Sequence, residues 1–216
     1  MAWQQLADLP FARALTAHTA GLVTAETYDC AHFDGEVLED QDGSASSFLE
    51  CAFTQMTLQR CRLTRARFTD VWLSDAQLIA VSAPHASWQD VTFTGAVLAG
   101  VEVYAAQLRR VTFDRCKLDS VNFRDADLAD VTFDNCVLRN IDLGGARVKR
   151  TAFPASRLAA TRLVQTTLDQ VDLRGAAELG LTVDPASLRG AIVTTAQLID
   201  MAPVLAESIG ITVEDQ

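Results

Sequence analysis

The 216-residue chain is long enough for one domain, or one repeat array with end caps, that buries a continuous core. Its formal net charge of -10 disfavours direct binding to nucleic-acid phosphates and favours either plain solubility or a basic partner. No apolar run approaches the roughly 18 residues of a membrane span, and five cysteines without framework spacing argue against a secreted disulfide scaffold.

The first part of the chain precedes the regular pattern described below, and we predict that residues 1–27 form an N-terminal cap. Residues 1–10 lack the basic segment followed by an apolar run that marks a secretory signal. We therefore expect a cytoplasmic protein with reduced thiols.

A repeat of five residues follows. Between Phe33 and Leu198, every fifth residue is large and apolar except Gly43, Ala83 and Glu178, and nine of the ten phenylalanines occupy these positions. A smaller residue often lies two positions earlier. A period of five matches neither a helix, near 3.6, nor a strand, near 2, so the chain must turn at every pentad. Positions two apart share one side of an extended segment, which directs both apolar residues inward and their neighbours outward.

The longer period shows how many pentads close one coil. Like residues recur better at a step of twenty than at a step of ten: the column from Phe33 to Phe153 is nearly all phenylalanine, and the column from Leu38 to Leu158 is all leucine. Four walls of five residues therefore make one coil. We predict an all-β solenoid over residues 28–183 with no need for a disulfide or a metal. Its predicted core includes Phe93, Phe113, Phe123, Phe133, Leu98, Leu118 and Leu138.

Helix signals follow the repeats. Asp184 followed by Pro185 is typical of an N-cap and a first helical residue, and Thr194 with Gln197 resembles a capping box. Pro203 should break or restart that second helix. We assign residues 184–216 to a C-terminal helical cap.

The same segment is predicted to join two chains. Gly210 should close the helix before a short apolar strand at residues 211–213. The helix carries more apolar surface than one coil end can hide, and the open end of a solenoid is an unpaired edge that needs cover. We therefore predict a homodimer joined tail to tail. The predicted dimerisation residues are Leu198, Ile199, Met201, Val204, Leu205 and Ile209.

The repeat units resemble those of a known family. Residues 121–125 (VNFRD), 126–130 (ADLAD) and 171–175 (VDLRG) resemble the A(D/N)LXX unit of the pentapeptide-repeat family, and the resemblance extends over roughly residues 28–176. It implies a right-handed quadrilateral β-helix. The order of repeats, short apolar helix and terminal apolar strand is similar to the quinolone-resistance members of the Qnr and MfpA type. The unbroken register of the repeats is nearer the loop-free MfpA type. That branch implies a dimer that binds DNA gyrase as a mimic of duplex DNA.

Outward carboxylates provide the candidate partner-binding surface. At a step of twenty, four acids fall on one corner, in a column that Arg110 and Arg150 interrupt, and two more lie on the adjoining wall. As a DNA-like ladder they would meet a basic groove and speed association by long-range attraction. The alternative is a solvated polar face. The six acids are Glu50, Asp70, Asp90 and Asp130 on the corner, and Asp114 and Asp134 on the wall.

Basic residues interrupt this acidic surface, since residues 101–165 hold 11 basic and 8 acidic side chains. The cluster could contact nucleic acid or an acidic partner. We favour local pairing with Asp114, Asp127 and Asp130, which lie close in sequence or on a neighbouring coil. The cluster consists of Arg109, Arg110, Lys149 and Arg150.

Catalytic and metal motifs are not found in the sequence. Four cysteines, Cys51, Cys61, Cys116 and Cys136, occupy the small inward position and are interpreted as core. Cys30 and His32 form the only close Cys/His pair, which lacks a second pair at zinc-ligand spacing. The three histidines belong to no nucleophile motif. We predict no enzyme activity and no cofactor.

Two functions remain open. The first is a binding protein that modulates DNA gyrase, or protects it from inhibitors, as a dimeric DNA mimic. The second is a general protein-interaction scaffold whose partner is unrelated to DNA, which the mixed charge of residues 101–165 favours. Both predict a protein partner, without direct binding to nucleic acid or membrane.

Overall fold

Residues spaced by twenty stack on one another throughout the repeats. The computed structural model describes residues 3–212, including every side chain there except that of Val204. Val91 pairs with Val111, and Val111 with Val131, in parallel register. The chain therefore winds as a parallel β-solenoid that advances by one strand spacing per coil, about 4.8 Å.

Each coil has four walls, as the twenty-residue period predicts. In one representative coil, residues 107–109 form wall 1 and residues 111–114 form wall 2, both within a single bent strand. Residues 117–119 form wall 3. Wall 4 is held by isolated bridges that join Glu102 to Asn122 and Asn122 to Asp142. The same wall numbers are used for every coil.

The strands of walls 1 and 2 belong to one sheet, those of wall 3 to a second, and a short third sheet lies near the C-terminus. The strands are β1 Thr16–Ala17, β2 Thr27–Asp29, β3 Ala31–Asp34, β4 Val37–Glu39, β5 Ser47–Leu49, β6 Ala52–Thr54, β7 Thr57–Gln59, β8 Arg67–Ser74, β9 Gln77–Ile79, β10 Ser87–Thr94, β11 Val97–Ala99, β12 Gln107–Asp114, β13 Lys117–Asp119, β14 Asp127–Asp134, β15 Val137–Arg139, β16 Arg147–Lys149, β17 Arg157–Leu163, β18 Thr167–Asp169, β19 Val171–Asp172, β20 Glu178–Val183 and β21 Ala191–Ile192. Short 3₁₀ helices span Leu6–Asp8 and Pro185–Leu188, and helix α1 spans Thr195–Ser208.

The corners force the backbone into an uncommon conformation. Corner residues have positive φ, for example 50° at Glu50, 53° at Asp70 and 55° at Asp90. This left-handed region is unfavourable for residues other than glycine, and aspartate and asparagine tolerate it best. Hydrogen bonds between coils hold the corners in place, as where Glu50 N donates to Thr69 O at 3.0 Å.

Stacked aromatic rings fill the core. Phe113 lies parallel to Phe93 and Phe133, with ring centroids 4.6 and 4.8 Å away. A second stack brings Phe68 and Trp88 to 3.8 Å. The seven residues predicted as core are at most 4% exposed and lie in one continuous cluster.

Glu178 interrupts the apolar column because the register shifts there. Leu158 pairs with Leu179, a step of 21 residues, whereas Leu163 pairs with Val183 at a step of twenty. The extra residue places Leu179 against the core and leaves Glu178 exposed. The sequence exception is therefore a local shift of register and not a buried charge.

The two C-terminal caps follow the sequence prediction. Asp184 precedes the 3₁₀ helix, with Pro185 as its first residue, and Asp184 Oδ1 accepts from Ser187 N at 2.9 Å. At helix α1, Thr194 Oγ1 accepts from Gln197 N at 3.1 Å, and Gln197 Oε1 accepts from Thr194 N at 2.9 Å. The predicted capping box is present.

The prediction that Pro203 breaks or restarts the helix is wrong, because α1 continues through Pro203 to Ser208. A proline removes one N–H and crowds the preceding turn, a local cost of about 3 kcal/mol. Both ends of the helix are capped. Gly210, at φ 81°, closes the helix, and Ile211 N donates to Ala206 O at 2.8 Å in a Schellman motif.

The terminal segments complete the described chain. Ile211 and Thr212 of the predicted terminal strand form no strand, and its last residue, Val213, lies outside the described residues. Within residues 1–27, predicted as an N-terminal cap, residues 16–17 already pair with β3, whereas residues 3–15 run along the outside of wall 2. Residues 3–15 are called the strap below. No helix between residues 3 and 212 is long and apolar enough to cross a membrane.

Candidate partner-binding surfaces

The four predicted corner acids share one file along the edge between walls 1 and 2. Glu50, Asp70 and Asp90 occupy successive coils, and Asp130 lies two coils further on, all with positive φ. Successive carboxylates are therefore separated along the axis by about one strand spacing, 4.8 Å. The left-handed corner explains why aspartate is tolerated here, but it does not require three acids in succession. We call Glu50, Asp70 and Asp90 the acidic edge.

Arginines neutralise the further part of this file. Arg110 Nε lies 2.5 Å from Asp90 Oδ1, and Arg150 Nε lies 2.5 Å from Asp130 Oδ1. Each hydrogen bond from arginine lowers the pKa of its aspartate below the ordinary value. Asp90 and Asp130 therefore remain ionised but present much less net charge to a partner.

Glu50 and Asp70 have no ion pair within residues 3–212, and the polar contact of the Glu50 side chain is the thiol of Cys30, with Sγ at 3.6 Å. Burial, followed by the neighbouring charges of Asp90 and Glu50, raises the pKa of Asp70. The absence of an arginine partner thus distinguishes these two acids from Asp90 and Asp130. These two acids are the strongest part of the acidic edge.

The two predicted acids on wall 2 differ from each other. Asp114 Oδ2 accepts from Gln4 Nε2 of the strap at 3.1 Å and lies 3.0 Å from Arg115 Nη2, and Asp114 is only 7% exposed. Asp134, one coil further, is exposed. The strap therefore covers Asp114, and of the two predicted acids on this wall only Asp134 is open to solvent.

The basic cluster is paired, but with only two of its three predicted partners, Asp127 and Asp130. The third, Asp114, pairs with Arg115, which lies outside the cluster. Besides the two arginine pairs above, Lys149 Nζ lies 2.9 Å from Asp169 Oδ2, and Arg109 Nη2 lies 3.7 Å from Asp127 Oδ2. All four pairs join side chains one coil apart. Exposed pairs of this kind contribute little stability, so their main effect is to remove free positive charge from this surface.

Helix α1 exposes an apolar side at the C-terminal end of the solenoid. Leu198, Ile199 and Ile209 are 49, 66 and 63% exposed. A groove of about 380 Å³ lies between α1 and the preceding 3₁₀ helix and strand. Four of the six predicted dimerisation residues line it: Leu198, Met201, Leu205 and Ile209. Ile199 is exposed but does not line the groove, and the side chain of Val204 lies outside the described part.

Family models match the repeat region. A model described as "Pentapeptide repeat region" matches residues 86–163, and one described as "Pentapeptide repeats (8 copies)" matches residues 46–82. Together they cover more than half of the chain. This chain is a pentapeptide-repeat protein. No protein with a curated function matches it.

Solved pentapeptide-repeat structures resemble the model at low sequence identity. HetL, involved in heterocyst differentiation regulation in the cyanobacterium Nostoc sp. strain PCC 7120, is 16% identical with a TM-score of 0.46, over 78% of this chain and 90% of HetL. QnrB1, a plasmid-mediated fluoroquinolone resistance protein, in a trypsin-treated form, is 14% identical with a TM-score of 0.41, over 88% of this chain and 100% of that chain. Neither similarity identifies a partner for this chain.

Sequence reasoning missed the contact between the strap and wall 2 of this pentapeptide-repeat protein. Trp72 occupies an outward position, yet it is only 3% exposed because Leu9 and Phe11 of the strap cover it. Trp72 Nε1 donates to Thr94 Oγ1 at 3.1 Å, and Thr94 Oγ1 donates to Trp3 O at 3.2 Å. The available signal was a large apolar residue at an outward repeat position.

Four of the five cysteines are inaccessible to solvent, and the fifth has a raised pKa. Cys51, Cys61, Cys116 and Cys136 are buried in the core. Cys30 lies at a corner, and burial, followed by hydrogen bonds to Asp29 and Glu50, raises the pKa of its thiol to about 11. Within residues 3–212, no group of three or more His, Cys, Asp or Glu side chains is placed to hold a metal ion.

Proposed function

We propose that this protein binds DNA gyrase through its acidic edge, as a mimic of duplex DNA, and so modulates the enzyme or protects it from inhibitors. The pentapeptide-repeat fold itself fits a protein-binding role, because each wall is a flat, continuous surface of outward side chains. The specific partner rests on the sequence resemblance to the Qnr and MfpA type. Binding would take place in the cytoplasm and involve no catalytic step by this chain.

One observation carries the proposal: acids on three successive coils, of which Glu50 and Asp70 have no ion-pair partner in the described chain. Duplex DNA presents one negative charge every ~1.7 Å along its axis, counting both strands. One edge with a charge about every 4.8 Å reproduces the sign and the linear form of that ladder at a lower density. A basic DNA-binding groove would attract such an edge at long range.

Assembly would extend the acidic surface. We propose that two copies join through the groove beside α1, which Leu198, Met201 and Leu205 help to line. A tail-to-tail dimer would place residues 166–216 of both chains near its centre, and in each chain these residues hold 8 acidic and 2 basic side chains. The rod would then be about twice the length of one chain and negative at its middle.

The alternative function is a protein-interaction scaffold with a partner unrelated to DNA. Its supporting observation is the pairing of Asp90 with Arg110 and of Asp130 with Arg150, which leaves the further part of the corner file close to neutral. On this alternative, a partner would recognise shape and hydrogen-bonding groups on a wall, and the acidic edge would serve solubility.

A supercoiling assay with purified gyrase, with and without a quinolone, tests the proposal. The wild-type chain is expected to change the supercoiling rate or the quinolone sensitivity. The double variant Glu50→Gln/Asp70→Asn should lose most of that effect. Asp125→Asn, which removes an exposed acid on another corner, is the matched control and should retain it. No effect of the wild-type chain under either condition would favour the scaffold.

A further inference from the structure

The strap packs on the solenoid in the way that a bound peptide packs on a protein surface. Leu9 and Phe11 form a small apolar cluster with Ala52 and Trp72, separate from the continuous core inside the coils. Trp3 packs against this cluster, with the centroid of its ring 5.9 Å from that of Phe11 in an edge-on arrangement. The contact therefore buries outward side chains of wall 2 without using any part of the core.

No hydrogen bond between main-chain groups joins the strap to the coils, although Trp3 O accepts from the side chain of Thr94 at 3.2 Å. The bonds between main-chain groups of the strap are internal turns, such as Leu9 N to Leu6 O at 3.3 Å and Ala12 N to Leu9 O at 3.0 Å. Among the described residues, the first bond between main-chain groups that reaches a coil comes from Thr16 N, which donates to Cys30 O at 2.8 Å. Residues 3–15 can therefore leave wall 2 without breaking a hydrogen bond of the β-sheet.

Side chains of Asp114 and Arg115 bind the N-terminal end of the strap through Gln4. Gln4 Nε2 donates to Asp114 Oδ2 at 3.1 Å, and Arg115 Nη2 donates to Gln4 Oε1 at 3.0 Å. Beyond Gln4, an open groove of about 920 Å³ continues along wall 2 past Thr132 and Asp134. Loss of the strap would thus expose Trp72 and leave the carboxylate of Asp114 with Arg115 as its remaining partner, at 3.0 Å.

We propose that the strap is a detachable cover, and that wall 2 beneath it is a second binding surface for a segment of a partner protein. The strap itself shows the chemistry that fits: two apolar side chains two residues apart, as Leu9 and Phe11 are, and a donor side chain that reaches Asp114, as Gln4 does. An amide side chain at the position of Gln4 suits this site best, since it donates to Asp114 and accepts from Arg115 at the same time. This inference does not depend on the proposed binding to gyrase.

Hydrogen exchange on the full wild-type chain tests whether the strap detaches. Local opening exchanges amides without global unfolding, so the amides of Leu9 and Ala12 should exchange at least about 100-fold faster than that of Trp72, which bonds to Cys51 O inside the sheet. Equal protection of the strap and the coil amides would mean that the strap leaves only when the solenoid unfolds. That result would overturn the proposal.

Competition by a labelled peptide with the sequence of residues 3–15 tests the binding surface, again on the full chain. In the wild-type chain the attached strap occupies wall 2 and lowers the apparent affinity by the fraction of time that the surface is open. The variant Leu9→Asp/Phe11→Asp should therefore bind the peptide at least about 10-fold more tightly than wild type. Arg13→Ala, which changes an exposed strap residue, is the control and should bind like wild type.

A third variant locates the peptide. Adding Trp72→Ala to Leu9→Asp/Phe11→Asp should abolish the gain in peptide affinity if the peptide occupies wall 2. The proposal is overturned if the strap-weakened variant is folded by circular dichroism and still does not bind the peptide more tightly than wild type does. Peptide binding that is indifferent to Trp72 also overturns it. If the strap-weakened variant does not fold, the hydrogen-exchange result on the wild-type chain decides.

Discussion

The coils and the strap bury apolar side chains to the same extent by different means. Trp88 inside the coils and Trp72 outside them are 4 and 3% exposed. Trp88 stacks on Phe68, which belongs to a coil held by hydrogen bonds on both sides, whereas Trp72 is covered by side chains of a segment without such bonds. Equal burial therefore does not imply an equal share in the fold, since cooperative units differ in their opening free energy.

The largest expected effect on stability comes from placing a charge in the core of the coils. Phe113→Asp places a carboxylate between the rings of Phe93 and Phe133, where nothing can pair with it. We expect the variant not to fold, as measured by circular dichroism and thermal melting. A variant that melts within a few degrees of the parent would show that the stacked column does not stabilise the coils.

The two tryptophans offer a matched comparison. Trp88→Ala should lower the free energy of unfolding by about 3–5 kcal/mol, the range for large-to-small changes in a core. Trp72→Ala should lower it by roughly half of that or less, because the strap can be released while the coils persist. Denaturant melts of both variants measure the difference. Equal losses would mean that the strap and the coils unfold as one unit.

The sequence predicted the coils better than the segments attached to them, for a physical reason. A column such as Leu98, Leu118 and Leu138 repeats in the sequence because the same environment repeats in space. The contact of Leu9 with Trp72 joins a segment without repeats to a single outward residue. A contact that occurs once leaves no periodic pattern in the sequence, so it could not be predicted from one.

In the candidate sites, too, contacts within the repeats were predictable from the sequence and contacts of the attached segments were not. Asp90 and Arg110 share a column, so their pairing was predictable from a step of twenty residues. The hydrogen bond from Gln4 to Asp114 joins residues 110 positions apart in different kinds of segment, and it was not predictable from the repeat. Helix α1 is capped at both ends and continues through Pro203, whereas the sequence rule for proline considers only the local loss of one N–H and the crowding of the preceding turn.

A smaller effect on stability, with a clear effect on assembly, is expected at the C-terminus. Leu205 lines the groove beside α1, and a glutamate there would place a charge in the proposed interface. Leu205→Glu, or deletion from Thr195 onward, should give a folded monomer at micromolar concentration by sedimentation. Glu207→Lys, an exposed change on the same helix, should leave the dimer intact. A wild-type monomer would contradict the proposed dimer.

The smallest expected effects lie on the acidic edge and have opposite signs. Arg110 lowers the pKa of Asp90, so this pair stabilises the fold above the unfolded pKa of aspartate and loses that contribution as the pH falls through the folded pKa. The pKa of Asp70 is raised, so its ionisation destabilises the fold. Asp90→Asn should lower the melting temperature at pH 7 and Asp70→Asn should raise it, each by at most about 3 °C. Shifts of the same sign would contradict the assignment of paired and uncompensated charges.

Direct binding to purified DNA gyrase, followed by calorimetry or sedimentation at several salt concentrations, tests the central claim most directly. We expect wild-type protein to bind, with affinity that falls as salt screens the acidic edge, and the Glu50→Gln/Asp70→Asn variant to bind more weakly than Asp125→Asn. Absence of binding at low salt, or binding that neither salt nor the double variant changes, would contradict the claim that the acidic edge engages gyrase.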